Sequence, residues 1–426
     1  MIPNTSIKKF YKKKKGLFAN TFYLFIQQGY QYLLPLISLP YLIRVFGIEK
    51  YGMLMFVQAF VLYFSMVIDY GFLYTGTKSI AINANDPKKT SEIFSAIMTT
   101  KLIFFFLSFF VFLILIFSID FFKDNHSLYI ITFAQLFGLA INPVWLFQGI
   151  QKMKYIALPN LIVFCLIISL MFIFVRQPSD IFLFQLIVAG ANLIGGMISL
   201  YIAFRIIGLK FLKPDIKNIL LEIKTGFHIF SVTLWGSIFV NSITFFLGLF
   251  CGNTYVGYYK PAETLMRGIT TIFYPVRNAL FPYIASVSAK APSVGKKLIK
   301  KYSLYITLAA ILPSLITFIF PETILKLVTG NVYAASSFLI RILSFWMIIT
   351  VIGNNFFTLG IITFDLVKKL NLFTIISAIL HGILSIILIQ AYKHIGAAIV
   401  LLSWDFTAML FVIYIFTKRN VPNAAK

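Results

Sequence analysis

Long stretches without a single charged side chain divide this sequence. They cover 16–43, 51–68, 102–119, 127–151, 155–175, 181–204, 225–259, 302–321, 342–364 and 370–392, and a last one, 395–417, is broken only by Asp405. An α-helix needs about 20 apolar residues to cross roughly 30 Å of hydrocarbon. The stretch 225–259 holds a Gly252-Asn253 turn and reads as one helix plus the start of the next, which continues to about residue 286. The pattern therefore predicts 12 spans. A chain of 426 residues at about 35 per helix and loop gives the same count. With 60% hydrophobic and 12% charged residues, a soluble enzyme and a disordered chain are both excluded. The expected fold is an all-α polytopic membrane protein. The basic start at Lys8–Lys15 is not read as a signal peptide, because the uncharged run behind it is too long and has no small-residue cleavage site.

The net charge of +24 comes from 37 Lys and Arg against 13 Asp and Glu. In a soluble protein that excess would suggest nucleic acid. Here position decides. With the N-terminus in the cytoplasm, 26 basic residues fall in inner segments and 7 in outer ones, namely Arg44, Lys50, Lys123, Arg176, Lys260, Lys326 and Lys393. That asymmetry is a positive-inside signal and places both termini in the cytoplasm. Most of the charge is then a topology signal, and no nucleic-acid partner is expected. The two cysteines lie in apolar runs and the four histidines lack ligand spacing, so neither a disulfide framework nor a metal site is expected.

A faint repeat runs through the chain. The turn between spans 1 and 2 carries Gly47 and Gly52, and that between spans 7 and 8 carries Gly252 and Gly257, each pair with a tyrosine inside. Two halves with the same orientation suggest a parallel repeat. Residues 1–210 are expected to form an N-terminal lobe of helices 1–6, and 211–426 a C-terminal lobe of helices 7–12.

Polar residues align at 100° per residue on several spans: Gln27 and Gln31 on span 1, Gln58 and Asp69 on span 2, Asn241 on span 7, Arg341 on span 10, and His381 on span 11. Polar groups facing lipid cost several kcal/mol (roughly), so these stripes face other helices or water. Span 8 is the most charged. Lys260, Glu263, Arg267 and Arg277 share one arc, and Glu263 and Arg267 are spaced to pair. The arc keeps net positive charge, which marks Arg267, Arg277 and Arg341 as candidate path-lining residues. Asp405 and Asp69 are the candidates for proton or ion coupling, with Glu263 beside them. No phosphate-binding loop is present, and no outer segment carries paired carboxylates.

Several motifs resemble bacterial polysaccharide flippases of the O-antigen (Wzx) type, in the multidrug/oligosaccharidyl-lipid/polysaccharide superfamily. They are LPLISLPYLIRVFGIEKYG at 34–52, DYGF at 69–72, KKTSEIF at 88–94, NPVWLFQG at 142–149, and the segment from Gly257 through Glu263 and Arg267 to Pro282. The matches are densest over the first 290 residues or so. Two positions depart from the family pattern: Thr264 stands where Lys is frequent, and Arg277 where a small polar residue is usual.

The resemblance implies two six-helix lobes around a central cavity. It implies an undecaprenyl-diphosphate-linked oligosaccharide as substrate, moved from the cytoplasmic to the outer leaflet of the bacterial inner membrane, for O-antigen or capsule synthesis. A polysaccharide polymerase and chain-length machinery would be further partners. No cofactor is implied beyond a proton or ion gradient, and no enzymatic activity. In this reading Arg267, Arg277, Arg341, Arg44, Glu263, Gln27, Gln31, Gln58 and Asn241 line the substrate cavity. The alternatives are a multidrug exporter of the same superfamily, which would favour acidic cavity residues, and a membrane glycan polymerase, which would need a large outer loop.

Overall fold

The computed structural model describes the backbone of residues 4–331, 333–366 and 370–418; within these, the side chains of 4–22, 24–28, 31, 124, 228, 229, 232, 233, 235–241 and 371 are not described. All regular structure among the described residues is helical. The helices are α1 (Asn4–Asp69), α2 (Phe72–Ile82), α3 (Pro87–Ser118), α4 (His126–Ala140), α5 (Val144–Gly149), α6 (Lys154–Phe174), α7 (Ile181–Tyr201), α8 (Ile216–Cys251), α9 (Asn253–Thr271), α10 (Phe273–Lys290), α11 (Pro292–Ile319), α12 (Pro321–Thr329), α13 (Ala334–Asn355) and α14 (Asn371–Lys418).

Among the described residues, eight helical segments are long and apolar enough to cross a membrane. Two are far longer than one crossing needs. Tyr32–Ile82 has 51 residues and Leu372–Lys418 has 47. The long helices that contribute to them, α1 and α14, each contain one interior residue with non-helical backbone, Gly47 (φ 75°, ψ 171°) and Lys393 (φ 52°, ψ −127°). The two helices that replace expected span 8, α9 and α10, do not qualify as apolar spans, because they carry its charged arc. The short helix α12 was not anticipated. It starts on Pro321 and ends on left-handed Gly330 (φ 82°), with Glu322 in its first turn.

The chain forms two compact units: Met1–Pro35 with Phe60–Leu234, and Leu36–Ala59 with Trp235–Lys426. The turn at Gly47 and the helix around it therefore belong with the C-terminal unit.

The first unit is built on aromatic packing. Phe112 lies 4.5 Å from Phe133, and Phe60 and Phe64 pack on Phe112 at 6.0 and 5.6 Å. Such pairs add about 0.5–1.5 kcal/mol each beyond area burial. Gln185 of α7 donates from Nε2 to Thr132 Oγ1 of α4 (2.6 Å), a bond between two buried side chains. The motif residues explain themselves here. Tyr70 (φ 42°) and Gly71 (φ 77°) break the chain between α1 and α2. Trp145 is 2% exposed beside Phe94. A Cβ on Gly149 would lie 2.6 Å from Ile80 Cβ, so only glycine lets α5 meet α2.

In the second unit the two glycine turns meet. Gly47 and Gly252 (φ 91°) each precede a new helical stretch. A Cβ on Gly52 would fall 1.9 Å from the Asn253 carbonyl oxygen, and one on Gly257 would fall 2.1 Å from that of Ile48. Positions 48 and 253, like 52 and 257, are 205 residues apart. The contact is thus reciprocal, each turn offering a carbonyl to the other's glycine Cα.

Candidate functional site

The charged arc folds into one connected group in the second unit. Glu263 sits on α9 with its side chain 5% exposed. Its two carboxylate oxygens accept from Lys260 Nζ (2.6 Å) and Arg267 Nε (2.8 Å). Helical spacing of three and four residues brings all three side chains to one face. One carboxylate thus serves two cations and leaves a positive charge over. The side chain of Arg267 is 40% exposed, whereas Lys260 is 23% exposed. The guanidinium lies 5.3 Å over the ring of Trp346 on α13, a cation–π arrangement.

Beyond Trp346 the group reaches α14. Thr350 Oγ1 donates to Asp405 Oδ2 at 2.7 Å. Thr350 and Asp405 line a cavity of about 140 Å³ with Gly353, Asn354, Phe357 and Met409. Arg267 and Asp405 lie near enough for their charges to interact. The arrangement is a surplus cation at one end and a carboxylate beside a small, mostly apolar cavity at the other.

The remaining sequence candidates fall elsewhere. Arg277 is buried on α10 with its guanidinium 4.5 Å from the Tyr274 ring centroid. Arg341 pairs with Glu322 of α12 at 2.8 Å, with both side chains nearly half exposed. Arg44 donates to the Leu327 carbonyl at 3.0 Å and packs on Gly330, so it caps the C-terminus of α12. Gln58 is half-buried on α1. Gln27, Gln31 and Asn241 lie outside the described side chains. Asp69 does not meet the premise of burial on which its coupling role rests. Its side chain is 61% exposed and pairs with Lys101 at 3.0 Å. Lys101 is the buried partner and also donates to the Leu139 carbonyl at the end of α4. The polar stripe around His381 is absorbed by its own helix: Thr374, His381 and Ser385 each bond the carbonyl four residues back.

Sequence reasoning missed Trp346, Thr350 and Lys101. Each reaches its partner across a separation of tens of residues, and only the charges themselves gave a signal. Trp346 could have been suspected, since it lies on the same helix as Arg341.

The fold is that of transporters of the multidrug/oligosaccharidyl-lipid/polysaccharide superfamily. It matches a multidrug resistance MATE family transporter in an inward-facing conformation (TM-score 0.64, 16% identity, 91% of this chain and 96% of that one). It also matches the lipid II flippase MurJ in an inward closed conformation (TM-score 0.67, 17% identity, 93% and 88%). In sequence, residues 17–288 match the family described as "Polysaccharide biosynthesis protein". The chain is 32% identical to a "Putative O-antigen transporter" of Escherichia coli (strain K12) over 96% of its own length and 98% of that protein's. A protein of the same description from Shigella dysenteriae is 27% identical over 63% of this chain and 67% of its own. The chain belongs to the polysaccharide biosynthesis protein family, that of the Wzx-type O-antigen flippases its motifs resemble.

Proposed function

We propose that this protein carries a lipid-linked oligosaccharide, joined through a diphosphate to undecaprenol, from the cytoplasmic to the outer leaflet of a bacterial inner membrane. One observation carries the reading: Glu263 neutralises only one of its two cations, and Arg267 is left partly exposed over the ring of Trp346. A guanidinium is planar and weakly hydrated, and it meets phosphate oxygens through two parallel donors. Arg267 would receive the diphosphate in a basic cavity, with Arg277 further along the path, while the lipid tail stays in the bilayer. Polar side chains of the spans, Gln27, Gln31, Gln58 and Asn241 among them, would meet the sugars. The names of the relatives support a polysaccharide-related cargo.

In this proposal the chain crosses the membrane 12 times with both termini inside. The breaks at Gly47 and Lys393 each separate two crossings, α8 supplies one, and α9 with α10 supplies one. Residues 1–210 and 211–426 act as the two lobes of an alternating-access cycle. Asp405 is the coupling group: a buried carboxylate at a small cavity can take up and release a proton or a monovalent cation. The surplus positive charge argues against export of cationic drugs, and the short outer segments argue against a glycan polymerase. Polymerase and chain-length proteins would act on the delivered cargo.

The test is deletion of the gene in its host, with analysis of the lipid-linked intermediates. Accumulation of undecaprenyl-linked repeat units on the cytoplasmic side is expected. Normal delivery with unpolymerised surface units would overturn the reading in favour of a polymerase.

A further inference from the structure

One cluster of side chains in the second unit has no part in the basic group. Tyr255 and Tyr258 lie three residues apart on α9 and face the break in α14. The His394 ring stacks on Tyr255 (5.4 Å between centroids, 25° between planes) and meets Tyr258 at 5.9 Å. Tyr333, just ahead of α13, lies 6.2 Å from Tyr258. Lys393 Nζ donates to Tyr255 Oη at 2.9 Å and sits 4.8 Å over its ring. Ser336 ties down the Tyr258 carbonyl at 2.9 Å. Three chain segments thus contribute to one aromatic group, and all its members remain partly or fully exposed.

The backbone at this point is unusual. Lys393 is not glycine, yet it holds φ 52° and ψ −127°. That conformation is strained for an L-residue and persists only where its surroundings enforce it. It turns the amine of Lys393 onto the Tyr255 hydroxyl and the ring of His394 between two tyrosines. Tyrosines that merely anchor a helix at the membrane surface sit at headgroup level. Here only Tyr255 and His394 stack, while Tyr258 and Tyr333 are tilted or edge-on to their neighbours, with an amine and hydroxyls at the edges.

We propose that Tyr255, Tyr258, Tyr333, Lys393 and His394 form a carbohydrate subsite on the outer side of the membrane, which takes a pyranose ring of the cargo glycan. Aromatic faces receive the C–H face of a sugar, rigid tyrosines lose little entropy on doing so, and the amine and hydroxyls bond the sugar's own hydroxyls. The assignment rests on the glycan cargo proposed above and on the outer position that the charge asymmetry gives Lys393. It divides recognition in two: the basic group takes the diphosphate and this cluster takes sugar.

The experiment uses the full chain in lipid nanodiscs. The probe is the lipid-free repeat-unit oligosaccharide, released by mild acid from the host's surface polysaccharide. Saturation-transfer NMR is expected to show binding to the wild type. Tyr255→Leu with Tyr258→Leu keeps apolar bulk but removes the rings, and should weaken binding at least tenfold at an unchanged thermal unfolding midpoint. Tyr258→Phe keeps the ring and loses one hydroxyl, so it should weaken binding only about two- to threefold. Arg267→Ala should also bind, since the probe lacks the diphosphate. Equal binding by the double variant would overturn the subsite and leave the tyrosines as surface anchors. So would an absence of binding to wild type in a host where gene deletion still causes lipid-linked units to accumulate. A host without that accumulation would instead remove the glycan-flipping reading itself.

Discussion

The two units treat a buried ion pair in opposite ways. In the first, the cation is inside: Lys101 is 3% exposed, while its partner Asp69 is 61% exposed. In the second, the acid is inside: Glu263 is 5% exposed and both its cations reach outward. The first arrangement is a staple. Lys101 gives a second donor to the Leu139 carbonyl and fastens α3 to α4. The second is a mount. A single carboxylate holds two cations in place and leaves one positive charge to offer. The polarity of the pair, more than its existence, separates the structural pair from the one proposed to bind.

The sharpest way to break this comparison is to strand each buried charge. Replacing both Lys260 and Arg267 with Met leaves Glu263 buried and uncompensated. The expected loss is about 3–5 kcal/mol, read as a collapse of the folded fraction in membranes. Next in size is the glycine contact of the second unit. Gly257→Ala places a methyl group against the Ile48 carbonyl and should cost about 1–3 kcal/mol. Gly190→Ala in the first unit, where nothing lies within 4 Å, should be neutral or slightly stabilising in the same thermal unfolding assay.

A smaller effect is expected at Glu222, the first unit's own buried acid. It is 5% exposed, and its Oε2 has no hydrogen-bond partner among the described residues. Burial raises its pKa above the usual carboxylate value. Its share of stability is therefore full below that usual value and is lost as pH rises through the raised one. Glu222→Gln should stabilise the protein at neutral pH by about 1 kcal/mol and match wild type below about pH 4. Stability profiles that stay parallel across this range would contradict it. The smallest effect belongs to the staple. Lys101→Met frees a carboxylate that is already solvated, so it should cost about 1 kcal/mol or less and leave export intact.

Much of the fold was legible because lipid forces apolar runs and penalises charge. The glycine turns at 47–52 and 252–257 were visible as a repeat, and the structure adds why: their backbones touch each other. The two charges that pair with Glu263 were legible because helical spacing is local. What was not legible was tertiary. Asp69 seemed a buried carboxylate until Lys101, 32 residues away, was seen to be the buried member. Arg44 and Arg341 read as cavity charges, yet both serve α12, a helix too short to leave a hydropathy signal. The aromatic cluster escaped because its members come from three segments, around 255–258, 333 and 393–394.

The central claim is that Arg267 holds the diphosphate of the cargo. It is tested most directly by comparing Arg267→Ala with Arg267→Lys in the native host. The readout is the amount of undecaprenyl-linked repeat unit on each leaflet, at matched membrane levels of protein. Lys260 still neutralises Glu263 in both variants, so both should fold. Arg267→Ala is expected to abolish transfer, with intermediates held on the cytoplasmic side, and Arg267→Lys to restore only part of it. Wild-type transfer by Arg267→Ala would contradict the account.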